Sequence, residues 1–100
     1  MTVYHIVLFK LKPGTPAEKV EEIKAAGYAM VGQVPGLSRI DFAPPLESTA
    51  HRSKGYDLGL VAILEKPEDV AVYAAHPAHV KVNGLREAIT EDALAYDLVF

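Results

Sequence analysis

Cysteine is absent from the 100-residue chain, which excludes disulfides, a thiolate nucleophile and every Cys-based metal site. A basic surface is missing as well, since ten Lys and Arg stand against thirteen Asp and Glu for a formal charge of −3. With no Lys/Arg run to displace counterions from phosphates, a nucleic-acid partner is not expected. No apolar run approaches the ~20 residues that cross a bilayer. Met1 leads straight into a strand pattern with no room for a signal peptide, so the expectation is a cytoplasmic location and no membrane contact. A glycine-rich phosphate loop, a Gly-x-Ser-x-Gly elbow and a dinucleotide fingerprint are also lacking.

What remains is 50% hydrophobic and 23% charged, the balance of a folded chain rather than a disordered one. Residues 1–100 are read as a single domain, because a globule of this length supports one core and little more. Residues 3–12, VYHIVLFKLK, are apolar on both alternating faces, with Val3, His5, Val7, Phe9 and Leu11 on one and Tyr4, Ile6 and Leu8 on the other. Thr15-Pro16-Ala17-Glu18 has the form of a capping box with proline at the first helical position. The helix it opens carries a stripe at Val20, Ile23, Gly27, Met30, Val31 and Val34 and is expected to end at Val34-Pro35-Gly36. LSRIDFA reads as a second strand, residues 44–55 as a loop, and Tyr56–Leu64 as a third strand. A second helix starts at Pro67, is interrupted at His76-Pro77 and resumes to about Ile89, before ALAYDLVF forms the last strand.

The order β-α-β-β-α-β predicts an α+β, ferredoxin-like sandwich: a four-stranded antiparallel sheet with its helices on one face. Helices cover one face only, yet the strands are apolar on both. A homodimer in which two sheets meet and close a dimeric α/β barrel would bury the other face.

One segment fits no generic account. Tyr73-Ala-Ala-His-Pro-Ala-His79 gathers two of the four histidines, a tyrosine and a proline into one short stretch. Residues six apart on a continuous helix do not share a face, so only a break at Pro77 brings Tyr73 and His79 together. In a purely structural reading His76 caps the carbonyls of the first helical segment, Pro77 starts the next, and His79 fills a polar gap. A metal reading rests on His76 and His79 at i, i+3 with His5 as a third imidazole; without a convergent carboxylate it is weak, and no metal is expected. Asp57 and Asp97 lie on strands, but nothing in the sequence says which way they point. His51, in the polar loop, is read as solvated.

The stretches HIVLFKLKPGT, VPGL, SKGYDLGLVAIL and YAAHPAHV, in this order and spacing, resemble the stress-responsive α/β-barrel (dimeric A/B barrel) family over essentially the whole chain. The resemblance implies small ferredoxin-like subunits that dimerise through their sheets, some stacking further into rings. One plant branch contains a polyketide cyclase that works without metal or organic cofactor in a pocket between sheet and helices. The residues here that match its acting groups are His79 and Tyr73, helped by His5. Where that cyclase lines its pocket with aromatic residues of the first helix, this chain has Gly27, Tyr28 and Met30, so a different substrate is expected.

The implied roles are chemically coherent. A neutral imidazole accepts a proton at physiological pH, and a phenol donates a hydrogen bond to a developing enolate or oxyanion. His79 is then the general base, Tyr73 the donor and His5 an orienting neighbour. Val7, Phe9, Tyr28, Met30 and His76 are expected to line the pocket. The expected function is binding of a small hydrophobic or aromatic carbonyl compound, extending to cofactor-free cyclase or lyase chemistry. Two alternatives stand beside it: a non-catalytic structural or oligomerising stress protein and, by fold analogy, a cofactor-independent monooxygenase. The expected partners are a second copy, with a larger ring as a further level, and a small hydrophobic ligand. No cofactor is expected.

Overall fold

Strand alternation decides the architecture. In the computed structural model, which describes residues 1–100, β1 (Val3–Leu11) lies between β3 (Leu58–Leu64) and β4 (Thr90–Val99), and β2 (Leu37–Ala43) flanks β3. Every neighbouring pair is antiparallel, in the order β2-β3-β1-β4. Three helices, α1 (Ala17–Tyr28), α2 (Asp69–Ala75) and α3 (Pro77–Ile89), cover one face. The chain is thus the α+β, ferredoxin-like arrangement that the order of elements predicts, with the second helix split in two. No helix is long and apolar enough to cross a membrane.

The core lies between this face and the helices. Val3 and Phe9 of β1, Leu60, Ala62 and Leu64 of β3, and Ile40 and Phe42 of β2 meet Ile23 of α1 and Val82 and Ile89 of α3. Burying each large aliphatic side chain contributes about 1.5–3 kcal/mol. The opposite face has no helix over it. Tyr4, Ile6 and Leu8 are only partly covered there, and Leu94, Tyr96 and Leu98 of β4, their register partners, are exposed.

Three local expectations are corrected. The capping box does not form: the Thr15 hydroxyl donates to the Lys12 carbonyl at 2.6 Å, and Pro16 occupies the N-cap position with no side-chain cap. The tight turn at Pro13-Gly14, closed by Thr15 N–H on the Lys12 carbonyl, folds the threonine away from the helix. α1 stops at Tyr28 rather than Val34, and the chain continues in turns in which Gly32 takes a left-handed φ of 94°. Met30 and Val34 remain buried beyond the helix end, whereas Val31 turns outward. Residues 44–55 are not wholly irregular, since Glu47–Arg52 form a 3₁₀ turn.

Two helical glycines give opposite expectations. A Cβ on Gly27 would lie 2.4 Å from the edge of the Phe42 ring, so α1 rests on β2 where only glycine permits the approach. A Cβ on Gly84 meets nothing within 4 Å. Gly84→Ala is therefore expected to stabilise the fold by about 0.5–1 kcal/mol through helix propensity. Gly27→Ala should lose about 1–3 kcal/mol to overpacking despite the same propensity gain. Urea denaturation of both variants measures this directly, and equal stabilisation by both would mean that Phe42 yields freely.

Candidate functional site

The site begins at a backbone break. His76 adopts φ −65° and ψ 136°, an extended conformation that ends α2, and Pro77 then begins α3. A residue before proline is pushed out of the helical region, and proline at the first helical position lacks only an N–H that would have had no partner. The His76 Nδ1 accepts the Ala78 N–H at 3.1 Å, so this imidazole caps the start of α3. The carbonyls of the preceding segment are not what it caps.

The break reorients α3 so that His79 lies over Tyr73, with ring centroids 4.4 Å apart. His79 Nδ1 is 3.1 Å from the Ala74 carbonyl, which can only accept. Nδ1 therefore carries the proton in the neutral ring, and Nε2 is left as the basic nitrogen. His5 joins from the sheet, edge-on to Tyr73 at 5.3 Å, because its place in the β1 alternation turns it toward the helices. Its own Nδ1 is 2.5 Å from Asp97 Oδ1, across the register pair that joins β1 to β4.

These groups stand at one end of a cleft of about 370 Å³ between sheet and α3. Val7, Phe9 and Leu60 form its floor, and Val82, Asn83 and Arg86 of α3 its wall. It is open because the β4 residues beneath it are Ala93 and Ala95, too small to fill the gap. A second hollow of about 280 Å³ lies across the sheet, bounded by Ile6, Leu8, Pro44, Pro45, Tyr56 and Val61. It holds no imidazole, whereas the first cleft brings two imidazoles and a phenol together.

Electrostatics in the cleft separates the two central groups. Burial pushes the Tyr73 phenol up to about 12, and the Asp97 carboxylate adds to the effect. Burial lowers the His79 pKa, the Ala74 carbonyl opposes this, and the charges of His5 and Arg86 lower it further. At neutral pH the pair is an unionised phenol beside an unprotonated imidazole.

Of the residues that the sequence singled out, His5, Tyr73 and His79 converge, and Val7 and Phe9 lie beside them. Tyr28, Met30 and His76 are not in the cleft. Tyr28 packs on Phe42 at 5.6 Å, and Met30 is fully buried in the core. The reason is the sheet order: α1 packs toward β2, whereas the cleft opens between α3 and the β1–β4 side. His76 and His79 do not act as a pair, the former being engaged at Ala78, and no three His, Cys, Asp or Glu side chains converge to hold a metal ion. Asp57 is structural, its carboxylate accepting the Leu11 N–H at 2.9 Å. The pairing of Asp97 with His5 and the presence of Asn83 and Arg86 in the cleft go beyond the sequence reading. For the last two the signal was present, since residues 79, 82, 83 and 86 form one helical stripe. Asp97 is recognisable only once the β1–β4 register is known.

Comparison with known proteins agrees with the fold. The family description "Stress responsive A/B Barrel Domain" matches residues 3–100. The Arabidopsis thaliana stress-response A/B barrel domain-containing protein HS1 is 34% identical over 80 residues, which is 79% of this chain and 72% of that protein. A dimeric ferredoxin-like protein of unknown function from Jannaschia sp. superposes with a TM-score of 0.88 over 100% of both chains at 21% identity. The hydroxynitrile lyase of Passiflora edulis superposes with a TM-score of 0.87 over 99% of this chain and 93% of its own, at 14% identity. The last two likenesses speak to fold.

Ring-resolved NMR titration tests the electrostatics. His79 is expected to titrate below the ordinary 6.5, and Tyr73 near 12 rather than 10.0. Below about pH 6.5 the unfolded chain binds more protons at His79 than the folded one, so this residue's contribution to stability falls with falling pH. Between about pH 10 and 12 the folded chain holds the Tyr73 proton that the unfolded chain has lost, so stability falls as pH rises. A Tyr73 midpoint at 10 would show that the phenol is solvated.

Proposed function

The chain belongs to the stress responsive A/B barrel domain family, and on that footing we propose that its cleft binds a small hydrophobic or aromatic carbonyl compound and turns it over by cofactor-free cyclase or lyase chemistry. The observation that carries this reading is the convergence of His79, Tyr73 and His5 at one end of an apolar-floored cleft. Pockets that hold small molecules are mostly apolar with a few convergent polar groups.

The steps follow from the atoms. A substrate carbonyl lies on Val7, Phe9 and Leu60 and accepts a hydrogen bond from the Tyr73 phenol. His79 Nε2 removes a proton from the adjacent carbon, and the electron pair moves onto the carbonyl oxygen as an enolate. The imidazolium formed is supported by its Nδ1–H on the Ala74 carbonyl. The enolate carbon attacks a second carbonyl of the same molecule, forming a C–C bond, and the proton on His79 passes to the new alkoxide. A lyase runs the reverse sense, with His79 taking a hydroxyl proton as the C–C bond breaks. Held by Asp97, His5 keeps its ring edge-on to Tyr73 and orients the phenol. The His79 and Tyr73 pKa directions leave both groups in working form from about neutrality to pH 10.

The non-catalytic, oligomerising reading is favoured by a different feature, the helix-free sheet face. Leu94, Tyr96 and Leu98 are 49%, 62% and 41% exposed there, beside Ile6 and Leu8. A second copy laid face to face would bury this surface. The relative from Jannaschia sp. is described as dimeric. Homodimerisation belongs to the proposal whether or not the cleft is catalytic, because the two features occupy opposite faces. Assembly of dimers into a ring, and a cytoplasmic site of action, complete the reading.

Two measurements test it. Addition of acetylacetone, acetophenone or benzaldehyde should shift the His5 and His79 ring signals together, and Ala95→Phe, which fills the cleft, should abolish the shifts. His79→Ala and Tyr73→Phe should each lower turnover of an accepted compound by about 10²-fold or more. If no compound moves either ring, the binding reading falls. Light scattering should give a mass of two chains or more, and Tyr96→Asp should reduce it to one; a wild-type monomer would overturn the dimer.

A further inference from the structure

The wall of the cleft carries a charge that the proton-transfer chemistry leaves unused. Arg86 lies on the same α3 stripe as His79, two turns further on, or about 10 Å along the helix axis. Its guanidinium is 6.0 Å from the centre of the Phe9 ring, at the end of the cleft away from His79. The guanidinium donates to Asn83 Oδ1, and Asn83 in turn donates to Glu87 Oε1 at 3.0 Å, so the arginine is steered by an amide rather than neutralised. The ion pairs of the chain are His5 with Asp97, Lys19 with Glu22, Lys24 with Glu21, and Arg39 with Asp41. Arg86 is in none of them, although Glu87, Glu91 and Asp92 border its outer side in a separate surface hollow. A partly buried guanidinium over an apolar floor, with no carboxylate in contact, presents its remaining N–H donors to whatever fills the cleft.

We propose that Arg86 is the anchor for an acid group, and that the ligand of the cleft is a small apolar carboxylic acid carrying its reactive carbonyl at the opposite end. This rests on the reading of the cleft as a carbonyl-compound site and adds the substrate class. The carboxylate pairs with Arg86, an aromatic or alkyl body lies on Phe9, Val7 and Leu60, and the carbonyl reaches Tyr73 and His79. The two-point fit sets the polarity of the substrate in the cleft and its length. Binding an anion at Arg86 would also offset a positive charge that lowers the His79 pKa, so occupancy makes His79 a stronger base.

The test uses 4-acetylbenzoate and its methyl ester as probes, with ring NMR and calorimetry on the full chain. Wild type should bind the acid about tenfold or more tightly than the ester, the range of a charge-assisted hydrogen bond. Added salt should weaken the acid alone. Arg86→Met, which keeps the stem and removes the charge, should erase the preference by weakening the acid about tenfold or more beyond any change in the ester, while Arg86→Lys should retain part of it. Equal affinity for acid and ester in wild type, or a preference that survives Arg86→Met, overturns the anchor and leaves the carbonyl site standing. If neither probe binds while uncharged ketones still shift His79, the acid ligand is again overturned alone. If uncharged ketones and both probes all fail, the cleft reading falls and takes this inference with it.

Discussion

The extended backbone of His76 is the constraint on which the rest of the site depends. On an unbroken helix, residues six apart point roughly 120° away from one another. Proline at 77 disfavours a helical residue before it, and the His76 ring supplies the cap that a new helix start requires. Both features act in the same few residues, so ending one helix and beginning the next needs no intervening loop. Tyr73 and His79 meet as a consequence, and the imidazole gains a defined tautomer because the last carbonyls of α2 are free to accept from it.

A second condition is room. Cores pack at the density of organic crystals, so a cleft beside a core persists only where side chains are too small to close it. Ala93 and Ala95 provide that on β4, while Phe9 and Leu60 keep the floor apolar. The same strand places Asp97 opposite His5, which fixes one imidazole through a charge-assisted hydrogen bond. One strand thereby leaves the volume and orients a polar group at its edge. Its alternate residues, Leu94, Tyr96 and Leu98, serve the other face of the sheet. The pleat thereby separates the cleft from the helix-free face.

Much of this was legible in the residues themselves. The strand and helix order followed from alternation and from breakers. The inward turn of His5 followed from its parity with Val7 and Phe9, and the need for a break at Pro77 from helix geometry. Elements closed by local interactions are less legible: the spacing of Thr15 fits a cap, but the turn at Pro13-Gly14 gives its hydroxyl a nearer carbonyl. Tyr28 and Met30 are expected in the pocket only because the family resemblance puts first-helix residues there. Which strands lie under α1 depends on the lateral order of the sheet, and no single strand's sequence carries that information. Which helix end His76 caps is not legible in the sequence, because its backbone conformation, not its identity, decides that.

The sequence by itself determined the alternation of faces, the number and order of elements, and the break that makes a Tyr–His contact geometrically possible, since each is a consequence of backbone sterics and periodicity over a few residues. Only the tertiary structure decided that Asp97 meets His5, that Arg86 stands unpaired at the far end of the cleft, and that α1 stays away from it. Those facts depend on strand register and lateral order, and thus on contacts between residues up to 92 apart in the chain, which local rules do not reach.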